Sequence, residues 1–166
     1  MAAPTPSQTV GPYFSLGLAG TSANELVAGE TPGAVRVSGQ VLDGAGDPVA
    51  DAVVELWQAD EEGRHRPNFG WGRCGCDADG RFSFTTVKPG RVDGQAPHLT
   101  VMVFARGLLK PVLTRMYFPD EEEANADDPI LSALDRAATL VARPRDADLE
   151  FDVRLQGERE TVFFVV

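Results

Sequence analysis

The sequence predicts an all-β domain, either a sandwich or a barrel, built from about seven short strands. The 166 residues include 17 Gly and 12 Pro, which are spread along the whole chain, as expected of a domain with many turns. Apolar residues make up 43% and charged residues 24%, values that are ordinary for globular proteins. A chain of this length buries roughly 68–70% of its unfolded surface. It can therefore form a hydrophobic core.

Each predicted strand is a run of β-branched, aromatic or alternating apolar residues that ends at a turn signal. Residues 43–48 (Asp-Gly-Ala-Gly-Asp-Pro) form the densest turn signal, and the hairpin signal Asp79-Gly80 precedes another run. Residues 149–155 place apolar side chains at every second position, the spacing of one strand face. The predicted strands are residues 35–42, 52–58, 81–87, 98–105, 112–118, 149–155 and 161–165.

Helix is predicted only in short pieces, and the N-terminus is predicted to be an arm. Asp120 is placed to cap a short acidic helix at 121–126, and residues 129–138 are a second candidate. Residues 1–34 are predicted to be an arm and connector, and residues 35–166 the β-domain, together one domain. Prolines within the arm exclude a central strand, so the arm either frays or docks onto another surface.

Charge and hydropathy exclude several classes of function. The net charge of −10 disfavours binding to nucleic acid and to anionic lipid. No apolar run approaches the ~18 residues of a membrane span, and residues 1–10 lack the regions of a signal peptide. We therefore expect a cytoplasmic protein. A small anionic substrate could bind only where local basic residues outweigh the negative electrostatic field of the whole protein.

Two segments carry the most distinctive motifs of the chain. Residues 46–64 contain Glu-Leu-Trp-Gln-Ala-Asp at 55–60, and residues 79–90 end in Lys-Pro-Gly. Together they resemble the core of the intradiol ring-cleavage dioxygenases, as do the arm at 6–13 and the run at 113–118. The resemblance covers nearly the whole chain. It implies a two-sheet antiparallel β-sandwich of the intradiol dioxygenase type, and cleavage of catechols between their hydroxyls by Fe(III), which two tyrosinates and two histidines hold.

Only one of the four iron-ligand positions implied by this resemblance keeps its ligand. The first tyrosine position is occupied by His65, and the second by Val92. The family's His-x-His pair corresponds to His98 and Thr100. The resemblance therefore implies that this chain holds no metal, and that Fe(III) belongs to a partner.

A degenerate site on an otherwise intact scaffold resembles the family's non-iron alpha subunit, as do the C-terminal run 154–164 and the loop 104–107. Such a subunit pairs with an iron-bearing beta subunit of the same fold. The implied substrate is a small aromatic, protocatechuate, whose carboxylate needs a partner if it is buried. The guanidinium of Arg106 offers a fork of donors for it. The implied substrate-binding residues are Thr9, Gly11, Pro12, Tyr13 and Arg106.

Two other interpretations stay open at this stage. The chain could be a β-sandwich binding or assembly module without a catalytic role, which would commonly expose aromatic side chains on one face. Trp57 is expected in the core, whereas Trp71 is a candidate for exposure. Alternatively, the chain could be a self-sufficient enzyme with an altered metal site, although it is short of ligands.

Several further side chains are of types that can take part in metal or redox chemistry. A rearranged metal site could combine His65 and His98 with Asp60 or Asp79. Cys74 and Cys76 are too close in sequence for an ordinary disulfide and too few for a zinc site. We expect both cysteines to be packed side chains.

Overall fold

Two β-sheets pack against each other in the computed structural model, which describes residues 4–18 and 22–165. The strands are β1 (Ala34–Leu42), β2 (Val53–Trp57), β3 (Trp71–Gly75), β4 (Arg81–Val87), β5 (His98–Phe104), β6 (Val112–Tyr117), β7 (Arg143–Arg145), β8 (Asp148–Glu150) and β9 (Val153–Arg154). One sheet has the order β3-β2-β5-β6 and is antiparallel throughout. The other has the order β4-β1-β8-β7, and β9 also pairs with β1.

The predicted two-sheet sandwich is confirmed, with one refinement in the second sheet. That sheet is mixed, because β8 and β9 both run parallel to β1, whereas β4 pairs with β1 in the antiparallel direction. The predicted strand at 149–155 is divided between β8 and β9. The predicted strand at 161–165 is wrong, since Phe164 forms only an isolated bridge with Leu113.

The core lies between the sheets and is built by alternation along the strands. On β5, for example, Leu99, Val101 and Val103 are buried while the residues between them are half-exposed, as expected when successive side chains point to opposite faces. The same alternation along β4 buries Phe82 and Phe84. The outward-facing residues of β2, β5 and β6 are consequently free to build a site.

Gly39 marks a close approach between β1 and the chain that follows β8. A Cβ added at Gly39 would meet the backbone carbonyl of Phe151 and come within 3.0 Å of the Phe82 ring. The N–H of Phe151 donates to the carbonyl of Ser38 at 2.8 Å. Only a residue without a side chain fits here, so that this glycine has a packing role.

The helical pieces differ from the prediction in their boundaries and caps. The structure has α1 at Glu122–Asp127, a π-helical turn at Phe14–Leu18, and 3-10 turns at Leu131–Ala133 and Ala137–Leu140. The N-cap of α1 is Glu121, without a side-chain cap hydrogen bond. The predicted cap, Asp120, instead accepts a hydrogen bond from Lys88 Nζ at 2.7 Å. The Asp120 carboxylate therefore pairs with Lys88 and does not cap α1.

The segment before β1 links the two sheets. Ala23 forms a bridge with Arg73 of β3, and Glu25 forms one with Thr85 of β4. Residues 4–10 have no regular structure and are exposed. The division at residues 1–34 and 35–166 into arm and sandwich stays a prediction. Among the described residues, no helix has the length and apolar character needed to cross a membrane.

Candidate functional site

The arm tip and the loop after β5 line one cavity of about 540 Å³, called the arm cavity below. Thr9, Gly11 and Pro12 contribute from the arm, and Arg106 contributes from the loop. Four of the five predicted substrate-binding residues thus come together, although nearly 100 residues separate them in sequence. The full lining is Thr9, Val10, Gly11, Pro12, Phe14, Asp51 and residues 104–111.

The conformation of the arm tip depends on a glycine. Gly11 has a φ of +66°, in the left-handed region that glycine adopts without steric cost. Its carbonyl accepts a hydrogen bond from the N–H of Phe14 at 3.0 Å, which closes a turn. Tyr13 lies outside the cavity lining with 63% of its surface exposed, and its ring is next to Gly17. The phenol of Tyr13 is therefore presented to the surroundings rather than to the arm cavity.

Arg106 is held at the mouth of the arm cavity by an acidic residue. Its Nε lies 2.6 Å from Asp51 Oδ2, while 82% of the Arg106 side chain and 39% of that of Asp51 remain exposed. An exposed pair of this kind contributes little stability. Its effect is to orient the guanidinium, and Lys110 adds a second cation to the same lining.

The four degenerate metal positions also come together, at a second cavity of about 260 Å³ on the outer face of the β3-β2-β5-β6 sheet. We call it the Trp57 cavity. His98 and Thr100 reach it from β5, while His65 and Val92 reach it from loops. The lining is Trp57, Gln58, Ala59, His65, Val92, Gln95, His98, Thr100 and Arg115. The four positions that the resemblance assigns to the family's metal ligands therefore lie at one cavity.

His98 is a half-buried imidazole with one nitrogen already engaged. Its Nδ1 lies 2.8 Å from the carbonyl oxygen of Ala96. Burial lowers the pKa of His98, and the nearby charge of Arg115 lowers it further, so the ring is neutral at pH 7. Because a carbonyl can only accept, Nδ1 carries the proton and Nε2 is left as an acceptor.

Arg115 is a residue of this cavity that the sequence analysis did not single out. It lies on β6 directly opposite Thr100 of β5. Its Nη1 donates to Gln95 Oε1 at 2.7 Å and to the Tyr117 hydroxyl at 3.3 Å. The residue was within the run 113–118 that carried the resemblance, and the alternation of β6 would have placed it on the outer face.

The Trp57 cavity does not fit ferric iron. A ferric site of this family uses anionic phenolates, but Val92 and Thr100 supply neither a phenolate nor an imidazole, and the guanidinium of Arg115 repels a metal cation. Within residues 4–18 and 22–165, no three His, Cys, Asp or Glu side chains converge as a metal site would require. Asp60, considered above as a ligand, instead binds Arg66 and the N–H of Arg64.

The expectations about the two tryptophans and the two cysteines have different outcomes. Trp57 was expected in the core, but it is 47% exposed because it lies on the outer face of β2, opposite Trp71 of β3. Trp71 is exposed as expected, at 43%. Cys74 and Cys76 are free thiols that pack at the core. Burial raises the pKa of both, that of Cys76 to about 12, so neither is a reactive thiolate.

Comparisons with known proteins agree with the fold and with the resemblance. A family model described as "Dioxygenase" matches residues 9–157. The chain is 45% identical to the protocatechuate 3,4-dioxygenase alpha chain of Burkholderia cepacia, over 98% of this chain and 97% of that one. It is 35% identical to the beta chain from the same organism, over 76% of this chain and 66% of that one.

A solved structure shares the fold over nearly the whole chain. The dioxygenase domain of a dioxygenase carbohydrate-binding protein fusion from Streptomyces sp. SirexAA-E superposes with a TM-score of 0.64 at 30% identity, covering 93% of this chain and 99% of that one. The matching family model, the two curated relatives and the shared fold lead to one conclusion. The chain belongs to the intradiol ring-cleavage dioxygenases.

Proposed function

We propose that this chain is the non-iron alpha subunit of a protocatechuate 3,4-dioxygenase, which supports and lines the active site of an iron-bearing beta subunit. One observation supports the proposal: the four positions that the resemblance assigns to the family's ligands line one cavity, and the side chains there do not fit Fe(III). The similarity to an alpha chain over 98% of this chain favours this function over a binding or assembly module.

The partner in this proposal is a beta subunit, and Fe(III) belongs to the partner. When bound there, Fe(III) supplies a Lewis-acidic centre that coordinates the catechol. The complex would cleave protocatechuate with O₂ to 3-carboxy-cis,cis-muconate, in the cytoplasm. This chain's own part is to position and bind.

In this role the arm cavity forms one wall of the substrate pocket. Thr9, Gly11 and Pro12 bring the backbone of the arm tip close to a flat aromatic ring. Tyr13 is exposed and free to contact the partner subunit. Arg106, oriented by Asp51, pairs with the substrate carboxylate, which makes the pocket selective for an anionic catechol in a protein whose net charge is −10.

Co-expression with a candidate beta chain tests the proposal. We expect the chain alone to contain no iron and to show no protocatechuate-dependent O₂ uptake, and the co-purified complex to contain iron and to be active. Iron-dependent activity of the isolated chain would contradict the ligand assignment. Failure to form an active complex with any beta chain would instead favour the binding module.

A matched pair of substitutions tests the role of Arg106 within the complex. Loss of a hydrogen bond to a charged group costs about 1.5–3 kcal/mol, so Arg106→Ala should raise KM for protocatechuate roughly 10- to 100-fold and leave iron content unchanged. Arg145 is a suitable control, because it is also an exposed arginine paired with an acid, Glu150, and lines no part of the arm cavity. An unchanged KM in Arg106→Ala would refute the role.

A further inference from the structure

The Trp57 cavity has lost its metal ligands but has the features of a site for a small anion. Its one formally charged lining residue is Arg115. Within the part of the chain that the structure describes, no carboxylate lies within ion-pair distance of this guanidinium. Other arginines of this acidic chain, such as Arg73 and Arg143, are paired with an acid. Arg115 therefore has no carboxylate in contact with its guanidinium, and the charge of the buried Asp128 acts on it only from behind the Tyr117 hydroxyl. A ligand carboxylate could make that direct contact.

The carboxylate of Asp128, which interacts with Arg115, does not line the cavity. Asp128 lies behind Tyr117, whose hydroxyl is 3.4 Å from Asp128 Oδ1, and Asp128 is fully buried. Its oxygens accept backbone hydrogen bonds from Ala96 at 2.8 Å and Leu131 at 2.7 Å. The carboxylate is thus satisfied by its own neighbours and contributes no surface to the lining.

The guanidinium is also held in place before any ligand arrives. Both hydrogen bonds of Arg115, to Gln95 and Tyr117, are made from Nη1. The guanidinium carbon lies 5.7 Å from the ring centroid of Phe164, a cation–π contact. A cation that is already ordered loses little conformational entropy when it binds an anion.

The rest of the cavity suits a flat, small ligand. Trp57 and His65 are stacked with ring centroids 6.5 Å apart and an interplanar angle of 28°, and Val92 adds an apolar side chain. Trp57 is 47% exposed, so the cavity is open to solvent. Its volume of about 260 Å³ lies below the roughly 300–1,000 Å³ typical of sites for drug-sized ligands.

We propose that the Trp57 cavity is a metal-independent binding site for a small aromatic carboxylate, whose carboxylate pairs with the Arg115 guanidinium while its ring packs against Trp57. The Nδ1 of His98 faces the carbonyl of Ala96, so its Nε2 can accept a hydrogen bond from a ring hydroxyl of such a ligand. This site is separate from the arm cavity, and the proposal does not rest on the dioxygenase role of the complex.

Benzoate is the probe, because it has the carboxylate and the ring but no hydroxyls with which to chelate iron. Titration of the full chain with benzoate, in the presence of EDTA, should quench tryptophan fluorescence with saturable binding. Loss of the charge-assisted contact in Arg115→Met should weaken binding at least about 10-fold. Arg145→Met, at an exposed arginine that pairs with Glu150 and lines neither the Trp57 cavity nor the arm cavity, should leave the dissociation constant unchanged. Acetate, which lacks the ring, should bind at least about 10-fold more weakly than benzoate.

Two outcomes would overturn the proposal: no saturable binding of benzoate, or binding that depends on Arg106 and not on Arg115. If Arg115→Met does not fold, judged by its thermal transition, the wild-type chain still decides the matter. Benzoate should then shift the NMR signals of the Trp57 indole and the His98 ring, and leave the backbone amide signal of Gly107 in the arm cavity in place. Shifts confined to residues of the arm cavity would refute the site. The isolated chain holds neither partner nor iron, so its failure to bind leaves the proposed subunit role untouched.

Discussion

Replacement of Asp128 by alanine tests the buried carboxylate that lies behind Tyr117. The side chain is fully buried and accepts backbone hydrogen bonds from Ala96, Ile130 and Leu131 at 2.8, 2.9 and 2.7 Å. A buried N–H left unpaired costs about 1–3 kcal/mol. Ile130 is half-buried, so water can hydrogen-bond to its N–H once the carboxylate is removed. The buried N–H groups of Ala96 and Leu131 are then the two donors left without a partner. We therefore expect Asp128→Ala to lower the free energy of unfolding by about 2–6 kcal/mol.

Urea unfolding followed by tryptophan fluorescence measures this loss. Asp127→Ala is the matched control, because Asp127 is the exposed neighbour and should change the free energy of unfolding by no more than about 0.5 kcal/mol. A loss below about 1 kcal/mol for Asp128→Ala, or equal losses for both variants, would refute the hydrogen-bond argument.

The pH dependence of the Asp128 effect has a defined sign. Burial raises the pKa of Asp128, but the hydrogen bonds from Leu131, Ala96 and Ile130, together with the charge of Arg115, hold it below its ordinary value of 3.8. A lowered pKa in the folded state means that the stabilisation is present above that ordinary value and is lost as the pH falls through the folded-state pKa. The difference in the free energy of unfolding between wild type and Asp128→Ala should therefore be constant from about pH 5 to 8 and become smaller below about pH 4.

Two further predictions concern packing. In thermal denaturation, Gly39→Ala should lower the free energy of unfolding by about 3 kcal/mol or more, because the added Cβ would meet the Phe151 carbonyl. The control Gly29→Ala, with nothing within 4 Å of an added Cβ, should leave the free energy of unfolding unchanged. Equal effects of the two substitutions would contradict the close approach at Gly39. Cys74 and Cys76, whose thiol pKa values are raised by burial, should react with iodoacetamide at pH 8 at least about 100-fold more slowly in the folded chain than in urea. Similar rates in both states would show that these thiols are accessible.

The central strands of the sandwich could be predicted from the sequence, because alternation and turn residues are local features. Residues 81–87 match β4 without error, and residues 112–118 exceed β6 by a single residue. Two strands were missed. β3 contains Gly72 and Gly75 and has little intrinsic strand preference, so its conformation depends on pairing with β2. β7 is a three-residue exposed strand that pairing with β8 defines.

Some of the candidate site residues could likewise be identified from the sequence, whereas others depend on contacts between distant parts of the chain. The resemblance identified His65, Val92, His98 and Thr100 as equivalents of ligand positions, and the structure places all four at one cavity. The resemblance does not point to Arg115, because an arginine is not a metal ligand and has no equivalent among the family's ligand positions. Nor could it show that 82% of the Arg106 side chain is exposed and that it is paired with Asp51, since that contact joins distant parts of the chain.

The sequence by itself determined the all-β class, the positions of most strands and the family, because each of these depends on the identity and local spacing of residues. The replacement of the iron ligands stays a prediction from the resemblance. The tertiary structure alone decided that the arm tip shares a cavity with Arg106, and that Arg115 lies among the former ligand positions. The physical reason is that strand pairing and loop packing bring together residues far apart in the chain, and no local pattern records which outward-facing side chains will meet.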